Sequence, residues 1–128
     1  MVWSCLVSIL PGMAQTEKLT DYVNPFVGTD GYGNVYPGAQ IPFGGIQISP
    51  DTDSRFYDAA SGYKYNHLTL MGFSLTHLSG TGIPDLGDFL FIPGTGEMKL
   101  EPGTHEDPDQ GYRSRYSHDK EWASPNYY

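Results

Sequence analysis

The sequence predicts an all-β chain, an antiparallel β-sandwich of short strands joined by tight turns. Three observations carry that reading. Gly and Pro are abundant, at 16 and 10 of 128 residues, and both interrupt helices and favour turns. Past residue 15, no stretch of helix length keeps apolar residues three and four apart. What recurs instead is short polar–apolar alternation bounded by Gly, Pro and Asp, the pattern of half-buried strands.

Taken in order, residues 1–10 (MVWSCLVSIL) form an apolar run that is too short for a membrane span. Small residues at positions 12 and 14 suit cleavage after Ala14, so residues 1–14 are predicted to be a signal peptide, although no Lys or Arg precedes the run. Residues 15–128 are then the mature chain, predicted to be secreted or periplasmic.

Residues 24–44 (NPFVGTDGYGNVYPGAQIPFG) are dense in Gly and Pro yet interleaved with Phe26, Tyr32, Val35, Tyr36 and Ile41. Linkers of similar Gly and Pro content are repetitive and lack such anchors. This stretch is expected to be an ordered loop that shapes a surface.

Ile46 and Ile48 alternate with Gln47 and Ser49; Tyr63, Tyr65 and His67 alternate with Lys64 and Asn66. Each pair of lists predicts a strand. A single helical turn is expected near residues 69–72. Strands follow at Phe73, Leu75 and His77, at the apolar run 89–92 closed by Pro93-Gly94, and at Tyr112, Ser114, Tyr116 and His118. Residues 123–128 (ASPNYY) look like a turn leading into a strand, so the sheet is expected to be unfinished and the chain to be part of a larger protein.

Composition narrows the function. The formal net charge is −8, with only seven Lys and Arg. That disfavours nucleic acid and anionic membrane surfaces, which attract a basic footprint. It suits neutral polar ligands and hard cations. Cys5 is the single cysteine, so no disulfide forms within the chain.

Gly31 and Gly33 lack the third glycine of a dinucleotide fingerprint, and no Gly-Lys-Ser/Thr follows any glycine loop. Neither Ser74 nor Ser79 sits in a Gly-x-Ser-x-Gly nucleophile elbow. Oxygen ligands for calcium are plentiful in Asp51-Thr52-Asp53, in Asp85-Leu86-Gly87-Asp88 and in residues 107–111, but none completes a twelve-residue calcium loop. Asp in such places ordinarily caps turns.

Residues 76–88 (THLSGTGIPDLGD) place His77, Ser79, Asp85 and Asp88 around flexible glycines directly after a predicted strand. Loops on a rigid sheet are where binding groups collect. Asp85 and Asp88 could also sit at the carboxylate separation of an inverting glycosidase, although turn-capping is the commoner role for Asp in such a loop.

Four blocks carry a family resemblance, and they occur in the family's order: residues 24–52, 61–66 (SGYKYN), 72–82 (GFSLTHLSGTG) and 111–128 (GYRSRYSHDKEWASPNYY). Together they resemble the N-terminal domain of glycoside hydrolase family 92, the calcium-dependent exo-acting α-mannosidases. The likeness runs from about Asp21 to Tyr128.

The resemblance implies an N-terminal β-sandwich joined to a larger (α/α) helical-barrel domain, with the active site between them. It implies inverting removal of terminal α-linked mannose, commonly α-1,2, from glycans. The acid, the base and most calcium ligands would lie in the second domain, so no catalytic residue is expected here and this chain alone is expected to be inactive. Whether calcium touches this half is left open.

By the same resemblance the pocket-wall loops are residues 28–38 and 76–88. The substrate-binding candidates are Asp30, Gly31, Tyr32, Asn34, Tyr57, His77, Ser79, Asp85 and Asp88. Two departures fall in these loops and one outside them: Tyr32 stands where the family often has His, Ile83 where it often has Cys, and, ahead of residues 61–66, Tyr57 where an aromatic, commonly Trp, is found. Tyr57 keeps a flat face for a sugar ring. A stand-alone carbohydrate-binding module or lectin is the competing reading of the same residues.

Overall fold

A computed structural model describes residues 17–40, 44–53, 55, 57–85, 87–125 and 127–128. The expected signal segment, and Ile41 to Phe43 within the glycine-rich loop, lie outside them. The described residues form no α-helix. They carry five short strands, β1 (Ser49–Asp51), β2 (Thr69–Leu70), β3 (Gly72–Ser74), β4 (Leu90–Phe91) and β5 (Ser114–Arg115). Four single 3-10 turns join them: η1 (Leu19–Tyr22), η2 (Tyr57–Ala59), η3 (Pro108–Gln110) and η4 (His118–Lys120).

The strands make two antiparallel sheets, one ordered β1-β3-β4 and the other pairing β2 with β5. The all-β, antiparallel sandwich class read from the sequence is therefore the observed one. β1 pairs with β3 in the register Ser49↔Ser74, Pro50↔Phe73 and Asp51↔Gly72. Two further bonds extend this ladder, from Gln47 N–H to Leu75 O and from Met71 N–H to Asp51 O, both 2.7 Å. Pro50 has no N–H to donate, so it is tolerated because β1 lies at a sheet edge.

Two local expectations fail. Residues 69–72 are not a helical turn but β2 and the start of β3, because Thr69 and Leu70 find partners in Arg115 and Ser114 across the chain. Residues 63–67 alternate but form no strand. Their polar groups are taken by loops instead: Tyr65 N–H donates to Thr29 O at 2.9 Å and Lys64 N–H to Thr52 Oγ1 at 2.9 Å. Near the end of the described residues, Ser124 and Tyr127 form an isolated antiparallel bridge.

The interior formed by the described residues holds many polar side chains. Among the described residues, Ala59, Ala60, Tyr63, Met71, Pro37, Pro50 and Pro108 are buried beside Ser49, Thr52, Asp53, Ser61, Thr69, Ser74, His77 and Arg113. Several large apolar side chains are exposed instead, among them Phe89 and Phe91 at β4 and, farther along the chain, Met98 and Leu100. Buried polar side chains of this kind need hydrogen-bond partners within the interior.

Candidate functional site

His77 is fixed by the ladder that precedes it. Its Nδ1–H donates to the Gln47 carbonyl at 2.8 Å, and its main-chain N–H donates to Gln47 Oε1 at 3.1 Å. Nε2 then lies 2.9 Å from Ser74 Oγ and 3.1 Å from Asp51 Oδ1. The Tyr36 ring covers the imidazole, with centroids 4.8 Å apart. Asp51 is brought here because its strand partner is Gly72, and Gly62 gives the pair room: a β-carbon on residue 62 would stand 2.2 Å from Asp51 Oδ1.

Ser, His and Asp thus meet, but not as a nucleophilic triad. A triad needs the serine on one ring nitrogen and the carboxylate on the other. Here both face Nε2, and Nδ1 is occupied by a backbone carbonyl. The arrangement orients these groups, and it lacks the carboxylate on Nδ1 that completes a triad.

Asp51, Ser61, Ser74 and His77 line a cavity of about 400 Å³, together with Asp85 and Asp88. Asp85 and Asp88 are exposed. The loop that bears them closes on itself: Gly87 N–H donates to Thr76 O at 2.8 Å, and Thr76 Oγ1–H donates to Asp88 Oδ2 at 2.9 Å. Asp88 therefore has the turn-stabilising role expected of an Asp here, while still facing the cavity.

The same loop meets the glycine-rich loop and Tyr57. Gly80 N–H donates to Asn34 O at 2.6 Å. Tyr57 packs against Gly82, and its ring lies 5.9 Å from that of Tyr32. Tyr32 and Tyr57 are both largely exposed, presenting two aromatic faces side by side.

The turn carrying Tyr32 is built by Asp30, whose Oδ1 accepts from Gly31 N–H at 2.8 Å and whose carbonyl accepts from Gly33 N–H at 3.2 Å. Asn34 is buried in the left-handed region at φ 49°, which Asn tolerates better than most residues. Ser79 is exposed in the 76–88 loop.

The sequence-predicted residues therefore separate by role. His77, Asp85 and Asp88 line the cavity, Tyr32 and Tyr57 form an aromatic pair, and Asp30, Gly31 and Asn34 hold the loops. Sequence reasoning missed Asp51, Ser61 and Gln47 as members of the site. Asp51 stood only among possible oxygen ligands, and nothing local shows that it faces a histidine 26 residues away.

A second buried cluster lies apart from these loops. Asp53 takes Arg55 Nη2 at 3.0 Å, faces His105 Nε2 at 3.4 Å and lies 4.0 Å from Arg113 Nη2. Burial pushes its carboxyl up, but hydrogen bonds from Arg55 and the charges of Arg55 and Arg113 outweigh that and bring it down to about 2. Burial, reinforced by the Arg113 charge, lowers the His105 imidazole. His105 Nδ1 lies 2.7 Å from Thr69 Oγ1, and its ring lies 4.0 Å from that of His67. The cluster ties the 101–113 segment to β1 and β2, a structural task.

Among the described residues no three His, Cys, Asp or Glu side chains stand where they could hold a metal ion. None of these residues belongs to a helix long and apolar enough to cross a membrane.

Comparison with known proteins gives this geometry its context. Residues 22–128 match the family model described as the glycosyl hydrolase family 92 N-terminal domain. An uncharacterized secreted glycosidase of Arthroderma benhamiae is 36% identical over 73 residues, which cover 56% of this chain and 9% of that protein. The solved structure of the GH92 family glycosyl hydrolase CcMan5 superposes with a TM-score of 0.67 at 35% identity, over 83% of this chain and 13% of its own. The chain thus spans only a small part of the length of these relatives. Matched over residues 22–128, it belongs to glycosyl hydrolase family 92 and carries that family's N-terminal domain.

Proposed function

We propose that this chain is the N-terminal β-sandwich portion of a secreted, exo-acting and inverting α-mannosidase that removes terminal mannose, commonly α-1,2-linked, from glycans. The observation that carries the reading is the convergence of three segments distant in sequence. Residues 28–38, Tyr57 and residues 76–88 meet through Gly80–Asn34, Tyr57–Gly82 and Tyr32–Tyr57, next to a cavity lined by Asp51, His77, Asp85 and Asp88. Exposed aromatic faces beside polar groups suit the apolar C–H faces and hydroxyls of a pyranose ring.

In this reading the chain binds and orients the sugar, and the acid and base come from the remainder of the protein. Inversion needs an acid at the leaving oxygen and a base activating water on the opposite face of the ring. Calcium, when bound to the complete enzyme, would help distort the sugar, with its main ligands supplied from outside this chain. The exposed Phe89, Phe91, Met98 and Leu100 supply apolar surface for that remainder to cover.

The test is a hydrolysis assay on mannose-terminated oligosaccharides with calcium present, following the product anomer by NMR. The complete protein is expected to release mannose first seen as the β-anomer, and this chain alone to release none. Release by this chain alone would overturn the assignment of catalysis to other parts of the protein. A complete protein that binds mannosides without cleaving them would favour the lectin reading.

A further inference from the structure

Buried polar atoms in folded proteins nearly always have a hydrogen-bond partner, so an unpartnered one marks either a defect or a place kept for something else. Two such atoms belong to residues lining the same cavity: Asp51 Oδ2 and Ser61 Oγ are both buried and have no partner in the protein. Much of the remaining polar wall is engaged. Ser74 Oγ lies on His77, His77 Nε2 on Asp51 Oδ1, and Thr76 Oγ1–H donates to Asp88.

We propose that Asp51 and Ser61 form a hydroxyl-binding subsite of this cavity, taking two hydroxyl groups of a neutral sugar. This rests on the glycosidase reading above and extends it to residues outside the loops from which that reading was made. Asp51 Oδ2, as a carboxylate oxygen, only accepts, whereas the Ser61 hydroxyl both donates and accepts. A polyol meets both demands with one kind of group.

An anionic ligand would be repelled by Asp51, Asp85 and Asp88 in the same wall. The cavity, at about 400 Å³, falls within the range of small-ligand sites.

Asp51 is also held in advance of any ligand. Its other oxygen is fixed by His77, its backbone by the register with Gly72, and Gly62 packs against the pair. A group already immobilised loses little further freedom on binding.

The experiment uses the complete protein and methyl α-D-mannopyranoside as the probe, titrated by calorimetry, with thermal unfolding measured in parallel. Ser61→Ala is expected to unfold at the same or a higher temperature, because it removes a buried hydroxyl without a partner, yet to bind the glycoside roughly threefold to tenfold more weakly. Asp51→Asn, which keeps an oxygen for His77, is expected to weaken binding about tenfold or more, since the lost bond is charge-assisted.

Wild-type affinity in both variants, with Ser61→Ala stabilised, would show that the two atoms serve no ligand and would overturn the inference while leaving the glycosidase reading intact. If Asp51→Asn fails to fold, Ser61→Ala decides alone. A wild-type protein that neither binds nor cleaves the mannoside would overturn the mannosidase reading and the sugar assigned to this subsite with it.

Discussion

Tyr57 covers Gly82 so closely that a β-carbon on residue 82 would stand 2.0 Å from Tyr57 Cε2. The contact joins the 76–88 loop to an exposed ring that also neighbours Tyr32. Because Tyr57 is exposed, it can swing away from an added methyl group without disturbing the interior. Gly82→Ala is therefore expected to change stability by no more than about 0.5 kcal/mol. It should still separate Tyr57 from its place beside Tyr32 and raise KM for a mannoside several-fold in the complete enzyme. A KM equal to wild type would mean that the tyrosine pair does not touch substrate.

Gly62 sits under the Asp51–His77 pair and has no such escape. Its φ is +91°, and its β-carbon would fall on a buried carboxylate oxygen. Strain and overpacking act together here, so Gly62→Ala is expected to destabilise by about 2 kcal/mol or more. Chemical denaturation reads the loss directly, and a stability change under about 0.5 kcal/mol would contradict the packing described.

The Asp53 cluster makes stability fall with acid in two steps. The His105 value is lowered on folding, so its contribution is complete above the unfolded imidazole value and declines as pH falls below it. The Asp53 value drops from 3.8 to about 2, so its contribution is complete above pH 4 or so and disappears as pH falls toward 2. His105→Gln should flatten the upper step alone. Asp53→Asn should remove the lower step and cost about 3 kcal/mol at neutral pH, because it leaves the buried Arg113 guanidinium without its counter-charge. Denaturant midpoints measured from about pH 2 to pH 8 distinguish the two.

Glu121 gathers the end of the chain. Its Oε1 accepts from the Tyr63 and Tyr128 hydroxyls at 2.9 and 2.6 Å, and its Oε2 faces His118 Nδ1. Burial, the neighbouring Tyr116 and the Glu121 carboxylate push the Tyr63 phenol up, so it stays a donor at any ordinary pH. Tyr63→Phe should cost about 1 kcal/mol and Glu121→Ala about 3 kcal/mol, the larger figure because several donors lose one acceptor together. Equal effects of the two substitutions in thermal unfolding would argue against a shared network.

Much of this was legible in the sequence where the cause is local. Strand alternation at Phe73 and Ser74, the Pro93-Gly94 stop and the ordered glycine loop depend on residues close together in the chain. The 63–67 segment misled because alternation cannot tell a strand from a loop whose N–H groups are taken elsewhere. Residues 69–72 misled because a four-residue run has no decisive period. His77, Asp85 and Asp88 could be grouped from the sequence because they share one loop. Asp51 and Ser61 were not, since what makes them notable is a neighbour far along the chain.

The sequence by itself determined the all-β class, the exclusion of nucleotide motifs, the loops of interest and the family resemblance, because turn chemistry, patterning and motif order are written in adjacent residues. Only the tertiary structure decided that Ser74 and Asp51 share one nitrogen of His77, that Tyr32 and Tyr57 stand side by side, and that Asp51 Oδ2 and Ser61 Oγ at the cavity lack partners. Those facts follow from the β1–β3 register and from loop closure across tens of residues. Sequence distance carries no information about either until the backbone hydrogen bonds are formed.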